Sequence, residues 1–170
     1  MSTFSIDSPY PTPLIDIGAN LTNSSFQDDI EDVIQRAVAT GVHKIVVTGT
    51  NLKESHAAAE LAEKYPGQLV STVGIHPHDA KHYTPADNKE LMALAAKPIV
   101  HALGECGLDF NRMFSTEEQQ IHAFEAQIEL ASELQLPLFL HERDAHQKQL
   151  EILKHYRDHI PAAVIPCFTG

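Results

Sequence analysis

A chain of 170 residues with 43% hydrophobic and 21% charged side chains carries enough apolar material for one ordinary core, which excludes intrinsic disorder. Its formal charge of −11 excludes a broad basic face that holds duplex nucleic acid by neutralising phosphates. No apolar run approaches the roughly 18 residues of a membrane span and residues 1–13 are polar and proline-rich, so the expectation is a cytoplasmic protein without a membrane partner.

After that tail, short apolar runs alternate with segments of helical period. Leu14-Ile15 leads into Asp16, Gly18 and Asn20, and a helix is predicted over 27–40, where Ile30, Val33, Ile34, Ala37 and Val38 form one stripe ended by Gly41. Ile45-Val46-Val47 leads into Thr48-Gly49-Thr50-Asn51 and a helix over 52–65, stopped by Pro66-Gly67. Val70-Ser71-Thr72-Val73 leads into Gly74-Ile75-His76-Pro77-His78, and a third helix over 86–96 halts before Pro98. Ile99 to Leu103 leads into Gly104-Glu105-Cys106-Gly107-Leu108-Asp109, and Ser115 with Glu118 forms a capping box that opens a helix reaching Leu134. Leu138-Phe139-Leu140 leads into His141-Glu142-Arg143-Asp144, a fifth helix runs over about 144–156, and Ala162-Ala163-Val164-Ile165 is a sixth strand.

Strand and helix in strict alternation predict an α/β fold of parallel strands forming one domain over 14–170. A complete eight-stranded (β/α) barrel takes roughly 250 residues, so six strands make three quarters of one. The phosphate loop of a dinucleotide binder is missing, since Gly18-Ala19-Asn20 matches no G-x-G-x-x-G. Parallel strands end on one face, so the polar clusters that follow them converge there.

Glu105, flanked by glycines at that rim, suits a divalent-metal ligand or a general base; the structural alternative is a carboxylate capping the next turn. His141 ends a strand too apolar for anything but a core and is a natural nitrogen ligand, with Arg143 as a fork for phosphate and Asp144 as a partner to orient the ring. His76 and His78, two positions apart on a proline-stiffened turn, can reach one phosphate or one metal, or simply lie at the surface. Asp16 and Asn20 offer oxygen ligands after the first strand. The other histidines of the eleven are read as surface residues. Cys106 and Cys167 suit reduced thiols, and Cys106 has no base to make it a nucleophile.

These motifs, taken together from Asp16-Ile17-Gly18-Ala19-Asn20-Leu21-Thr22 through Gly104-Glu105-Cys106-Gly107-Leu108-Asp109-Phe110 to His141-Glu142-Arg143-Asp144-Ala145, resemble the TatD family of metal-dependent deoxyribonucleases over about 14–170. The resemblance implies a TIM-type (β/α) barrel, incomplete here, with a divalent cation at its C-terminal face: magnesium first, manganese or zinc as alternatives. It makes Glu105 and His141 the metal ligands, Glu105 and His76 catalytic, and His78, Arg143 and Asn20 substrate-binding. The implied substrate is single-stranded DNA, cleaved from an end through a metal-activated water.

Where many family members carry H-x-H after the first strand, this chain has Gly18 and Asn20, as the branch nearest the founding TatD protein does. Pro166 stands where the family places a histidine ligand, and the late D-x-P aspartate is absent, so two of four expected ligands remain and metal binding is expected to be weaker. Without a seventh and eighth strand, edges near Leu14 and Val164 are expected to lie open to self-association, and Pro166 suits such an edge. The alternative is a non-catalytic, shortened or degenerate relative with an incomplete metal site; a small-molecule hydrolase on the same scaffold is a third reading.

Overall fold

The computed structural model describes residues 12–166, so residues 1–11 of the N-terminal tail and the Cys167 thiol lie outside it. Six parallel strands follow one another in a single sheet in the order β1-β2-β3-β4-β5-β6. They are β1 (Leu14–Ala19), β2 (Val42–Val47), β3 (Leu69–Val73), β4 (Val100–Asp109), β5 (Leu138–Arg143) and β6 (Ala163–Val164). Between them run α1 (Ile30–Ala39), α2 (Leu52–Lys64), α3 (Asp87–Ala95), α4 (Glu117–Leu134) and α5 (His146–His155). The sheet curls as part of a barrel, as the alternation of strand and helix predicts.

Burial grades across this sheet. All five residues of β3 are buried, whereas β1 is exposed along nearly its whole length, with Leu14 and Ile15 52% and 59% accessible. At the opposite edge Val164 is exposed as well. Among the described residues β1 and β6 pair only with β2 and β5, so the expected open edges are present. Ile34, Ile45, Val47, Ala58, Ala62 and Leu69 close one core between α1, α2 and the first strands. A larger core packs Leu103, Leu108, Leu138 and Leu140 of β4 and β5 against Phe124, Ile128 and Ala131 of α4. Each such large side chain contributes about 1.5–3 kcal/mol by leaving water.

Three local features depart from the sequence expectation. Helix α1 starts at Ile30 rather than Gln27, because Asn23 accepts the Ser25 N–H (3.0 Å) and opens a separate 3-10 turn over Ser24–Phe26. The capping box of α4 uses Thr116 and Gln119, one residue later than Ser115 and Glu118: Gln119 N–H donates to Thr116 Oγ1 (3.3 Å) and Thr116 N–H to Gln119 Oε1 (2.9 Å). The sequence offers both frames, and tertiary contact selects one. Ser115 is buried, accepts the Lys81 N–H (3.0 Å) and donates to His78 O (3.1 Å), so its hydroxyl ties two loops together instead of capping.

The third departure is the largest. Strand β4 does not end at Leu103 but continues to Asp109, with Gly107, Leu108 and Asp109 paired to His141, Glu142 and Arg143 of β5. Two glycines permit this. A Cβ on Gly104 would lie 2.0 Å from Phe139 O, and one on Gly107 would lie 2.1 Å from His141 O. Both have φ in the positive range (130° and 135°), where an L side chain is strained. Glu105 therefore sits inside the strand, one backbone width from the strand that carries His141.

Gly107→Ala is expected to destabilise the protein by about 3 kcal/mol or more, since the new methyl meets main chain that cannot step aside. Urea unfolding checks this; a loss below about 1 kcal/mol would mean that β4 and β5 are not held this closely.

Candidate metal centre

The C-terminal ends of β3, β4 and β5 bring four acid-base groups into one cluster. His76 follows β3 and caps the 3-10 turn Pro77–His82; Glu105 and Asp109 lie on β4; His141 lies on β5. His141 Nδ1 is 3.3 Å from Glu105 Oε1, and its Nε2 is 3.3 Å from Asp109 Oδ2. His78 Nε2 lies 2.7 Å from the same Asp109 oxygen. The His76 ring centroid is 4.3 Å from that of His78 and 4.4 Å from that of His141.

Buried glutamines fix the main chain beneath these side chains. Gln120 of α4 accepts the Asp109 N–H (2.8 Å) and donates to Asp109 O and Ser115 O (both 3.0 Å). One turn pair further along the same helix, Gln127 accepts the Ile75 N–H (2.7 Å) and donates to Ile75 O (3.0 Å), anchoring the residue before His76. Gln149 of α5 accepts the Leu108 N–H (3.0 Å). In Gln120 and Gln127 the amide serves both the N–H and the C=O of one residue and replaces the pairing that a strand loses at its end.

Asp109 is 1% exposed and accepts from every side: Oδ1 takes the N–H groups of Asn111 (3.0 Å) and Arg112 (2.8 Å), and Oδ2 faces the two imidazoles. Burial opposes its charge, but these donors outweigh burial and bring its pKa down to about 2. Burial likewise opposes charge on Glu105, yet the hydrogen bond from His141 and the neighbouring imidazoles hold it below the usual carboxylate range. For His141, burial disfavours the cation, while Glu105 and then Asp109 favour it and the pKa is raised. His76 goes the other way: burial, and after it the charge of His141, lowers its pKa to about 4.

The tautomers follow from the hydrogen bonds. His76 Nδ1 accepts the His78 N–H (3.1 Å), so the neutral ring carries its proton on Nε2, which points toward Glu105 at 3.9 Å. A neutral ring at that distance is not an ion-pair partner. Asp109 accepts at His141 Nε2, leaving Nδ1 on the Glu105 side. A carboxylate behind a histidine in this way sets the ring's orientation and its basic nitrogen.

Among the described residues, His76, Glu105 and His141 bring one ligand atom each within 4.8 Å of one another. Two nitrogens and a carboxylate oxygen suit a first-row divalent ion, and the carboxylate also suits magnesium. The residues fit a cation through Glu105 and His141, since the nitrogen that donates to the Glu105 carboxylate becomes a ligand atom once its proton is released; His76 offers a proton at Nε2 in its neutral form.

Glu105 and His141 open onto a cavity of about 510 Å³ that Asn20, Arg143 and Pro166 also line. Asn20 and Arg143, expected to meet substrate, therefore share the cavity, and Pro166 places a side chain without a donor atom in its wall. Asp144 does not orient His141. It adopts a positive φ (53°) and accepts from Asn111 Nδ2 (2.6 Å), and Asp109 takes the orienting role instead. Asp16 turns to its own loop, accepting the Gly18 N–H (3.1 Å). Cys106 is fully buried and burial pushes its thiol well above the ordinary value, which removes it as a nucleophile. Asp109 is the functional group that sequence reading missed. Its signal was even spacing from Glu105, which puts both carboxylates on one face of a strand, once β4 is known to continue so far.

Comparison with known proteins gives the family of the chain. The model of the family described as TatD-related DNase matches residues 15–170. The 3'-5' ssDNA/RNA exonuclease TatD of Salmonella typhimurium is 50% identical over 157 residues, covering 92% of this chain and 60% of that protein. The enzyme of the same description from Citrobacter rodentium is 52% identical over 92% of this chain and 59% of its own length. The chain thus spans about three fifths of the curated relatives it matches. Among solved structures, the TatD homologue YJJV of Escherichia coli superposes with a TM-score of 0.81 at 31% identity, over 92% of this chain and 61% of that one. A TatD family hydrolase of Entamoeba histolytica gives 0.79 at 31% identity, over 86% and 55%.

In the metal-free protein, His76 binds its proton near pH 4 when folded and near 6.5 when unfolded, so the unfolded chain binds more protons between those values. The stability due to neutral His76 is complete above pH 6.5 and is lost as pH falls toward 4. Urea unfolding of wild type and His76→Gln should converge by about 2 kcal/mol between pH 7 and pH 5. Parallel pH dependences of the two proteins would contradict the assigned burial.

Proposed function

This chain belongs to the TatD-related DNase family, a metal-dependent group of hydrolases, and from that premise we propose that its cluster cleaves phosphodiester bonds of single-stranded DNA or RNA from the 3′ end. The observation that carries the reading is the facing pair Glu105 and His141, 3.3 Å apart at the rim of the parallel sheet and backed by Asp109. Magnesium is the first choice of cation, with manganese or zinc as alternatives, and action in the cytoplasm is part of the same proposal. No helix among the described residues is long and apolar enough to cross a membrane.

Glu105 and His141 hold the ion. When bound, a divalent cation supplies Lewis acidity toward a phosphoryl oxygen and makes water a nucleophile near neutral pH. Glu105, ionised at neutral pH, would also be able to take up a proton during attack on phosphorus. His76 stays neutral and directs its Nε2–H into the cluster, where it donates to a phosphate oxygen without transferring its proton. Asp109 remains ionised, so it fixes the rings of His78 and His141 and does not serve as an acid. Across the cavity, Arg143 presents a planar fork matched to phosphate and Asn20 presents a carboxamide.

The local site explains how an acidic protein meets a polyanion: the positive charge that phosphate needs is concentrated in the cation and Arg143. Pro166 favours a second reading, in which its position in the cavity wall gives a metal no donor atom and the chain is a non-catalytic relative with a weak metal site. The exposed edges β1 and β6 belong to the same proposal as surfaces for self-association.

Incubation of 5′-labelled single-stranded oligonucleotides with magnesium or manganese separates the two. The nuclease reading predicts stepwise release of nucleotides from the 3′ end, abolished by a chelator and reduced at least about 100-fold in Glu105→Gln. No release by either protein selects the non-catalytic reading, and equal release by the variant overturns the role assigned to Glu105.

A further inference from the structure

The loop from β4 to α4 places two large apolar side chains in solvent beside the cluster. Phe114 is 53% exposed and Met113 44%, although Asp109, five residues before Phe114, is fully buried. Phe114 touches the site directly: its ring meets that of His78 edge to face, with centroids 4.8 Å apart and an interplanar angle of 89°. His78 in turn contacts His76 at 4.3 Å and Asp109 at 2.7 Å. One imidazole therefore separates Phe114 from the groups that surround the candidate ion.

The loop is built to hold the ring there. Asp109 Oδ1 captures the N–H groups of Asn111 and Arg112, Asn111 Nδ2 donates to Asp144 (2.6 Å), and buried Ser115 links Lys81 N–H to His78 O immediately after Phe114. Both neighbours of the Met113-Phe114 pair are thus pinned by side-chain hydrogen bonds. A fixed, solvent-facing aromatic ring loses little freedom when a flat ligand stacks on it.

We propose that Phe114 is a stacking platform for a nucleobase of the strand whose phosphate lies at the cluster, with Met113 extending the apolar surface. This inference rests on the nuclease reading and deepens it by naming the contact that holds the strand. Every base has a π face, so a platform of this kind tolerates sequence, and it does not touch the sugar, so it accepts DNA and RNA alike. It also requires an unpaired base, which gives the acidic protein a way to select single strands without a basic groove.

The chain contains no tryptophan, which gives a direct test. Phe114→Trp introduces one fluorophore on the exposed ring position. Its emission is read while a short thymidine oligonucleotide, or the same backbone without bases, is titrated in calcium; binding to Phe114→Ala is followed by fluorescence anisotropy. The platform predicts quenching by the thymidine strand and none by the abasic strand. It also predicts binding of thymidine weakened about 5- to 100-fold in Phe114→Ala, with abasic binding unchanged.

Unchanged emission while the wild-type protein binds and cuts the strand overturns the platform and leaves the nuclease reading standing. Quenching without cleavage in magnesium or manganese supports the platform and removes the nuclease reading. Absence of any binding overturns both.

Discussion

Two carboxylates on one face of strand β4, with a single imidazole between them, set the terms for everything else in this protein. Glu105 and Asp109 are both held in their charged forms, and His141 lies 3.3 Å from each. Such a pair needs positive charge, because burying like charges without a counter-ion is unfavourable. In the metal-free protein the two carboxylates raise the pKa of His141 and so favour its protonated form. A cation held between Glu105 and His141 would take over that role in exchange for the proton on Nδ1, which would couple metal affinity to pH. His76 follows from this arrangement: held out of water, and with the imidazole of His141 beside it, it stays neutral, and its remaining N–H becomes a directional donor.

The scaffold exists to keep β4 and β5 close enough for this. Gly104 and Gly107 let the main chain of β4 approach the carbonyls of Phe139 and His141, which no side chain there would allow. Gln120 and Gln127 reach from one helix to the peptides at Asp109 and Ile75, and Gln149 reaches from the next helix to Leu108. Strand ends lose their ladder partners; Gln120 and Gln127 each restore both the N–H and the C=O partner of one residue in one geometry, while Gln149 serves the Leu108 N–H alone. The chemistry-bearing side chains are therefore placed by glutamines and glycines that carry no chemistry themselves.

Much of this was legible in the sequence, and the illegible part has physical causes. The six strands, their parallel order and the convergence of His76, Glu105 and His141 follow from the alternation of apolar runs and helical periods, and from polar residues where those runs stop. The far end of β4 was hidden because Gly104 and Gly107 read as a loop, whereas here they mark close approach within a strand. That misreading concealed Asp109 and credited Asp144 with orienting His141. The capping frame of α4 was equally undecidable, since Ser115 and Thr116 both satisfy the local pattern and only the contact between Ser115 and the His78 loop chooses. Buried glutamines on a helix look like surface residues until the strand ends they serve are known.

The account turns on Glu105 and His141 sharing one cation, and anomalous scattering from crystals soaked in manganese measures this most directly. The strongest anomalous peak is predicted within bonding distance of the Glu105 carboxylate and the His141 imidazole, with Asp109 behind the ring and outside the coordination sphere. A peak elsewhere, or none at saturating manganese, would contradict it.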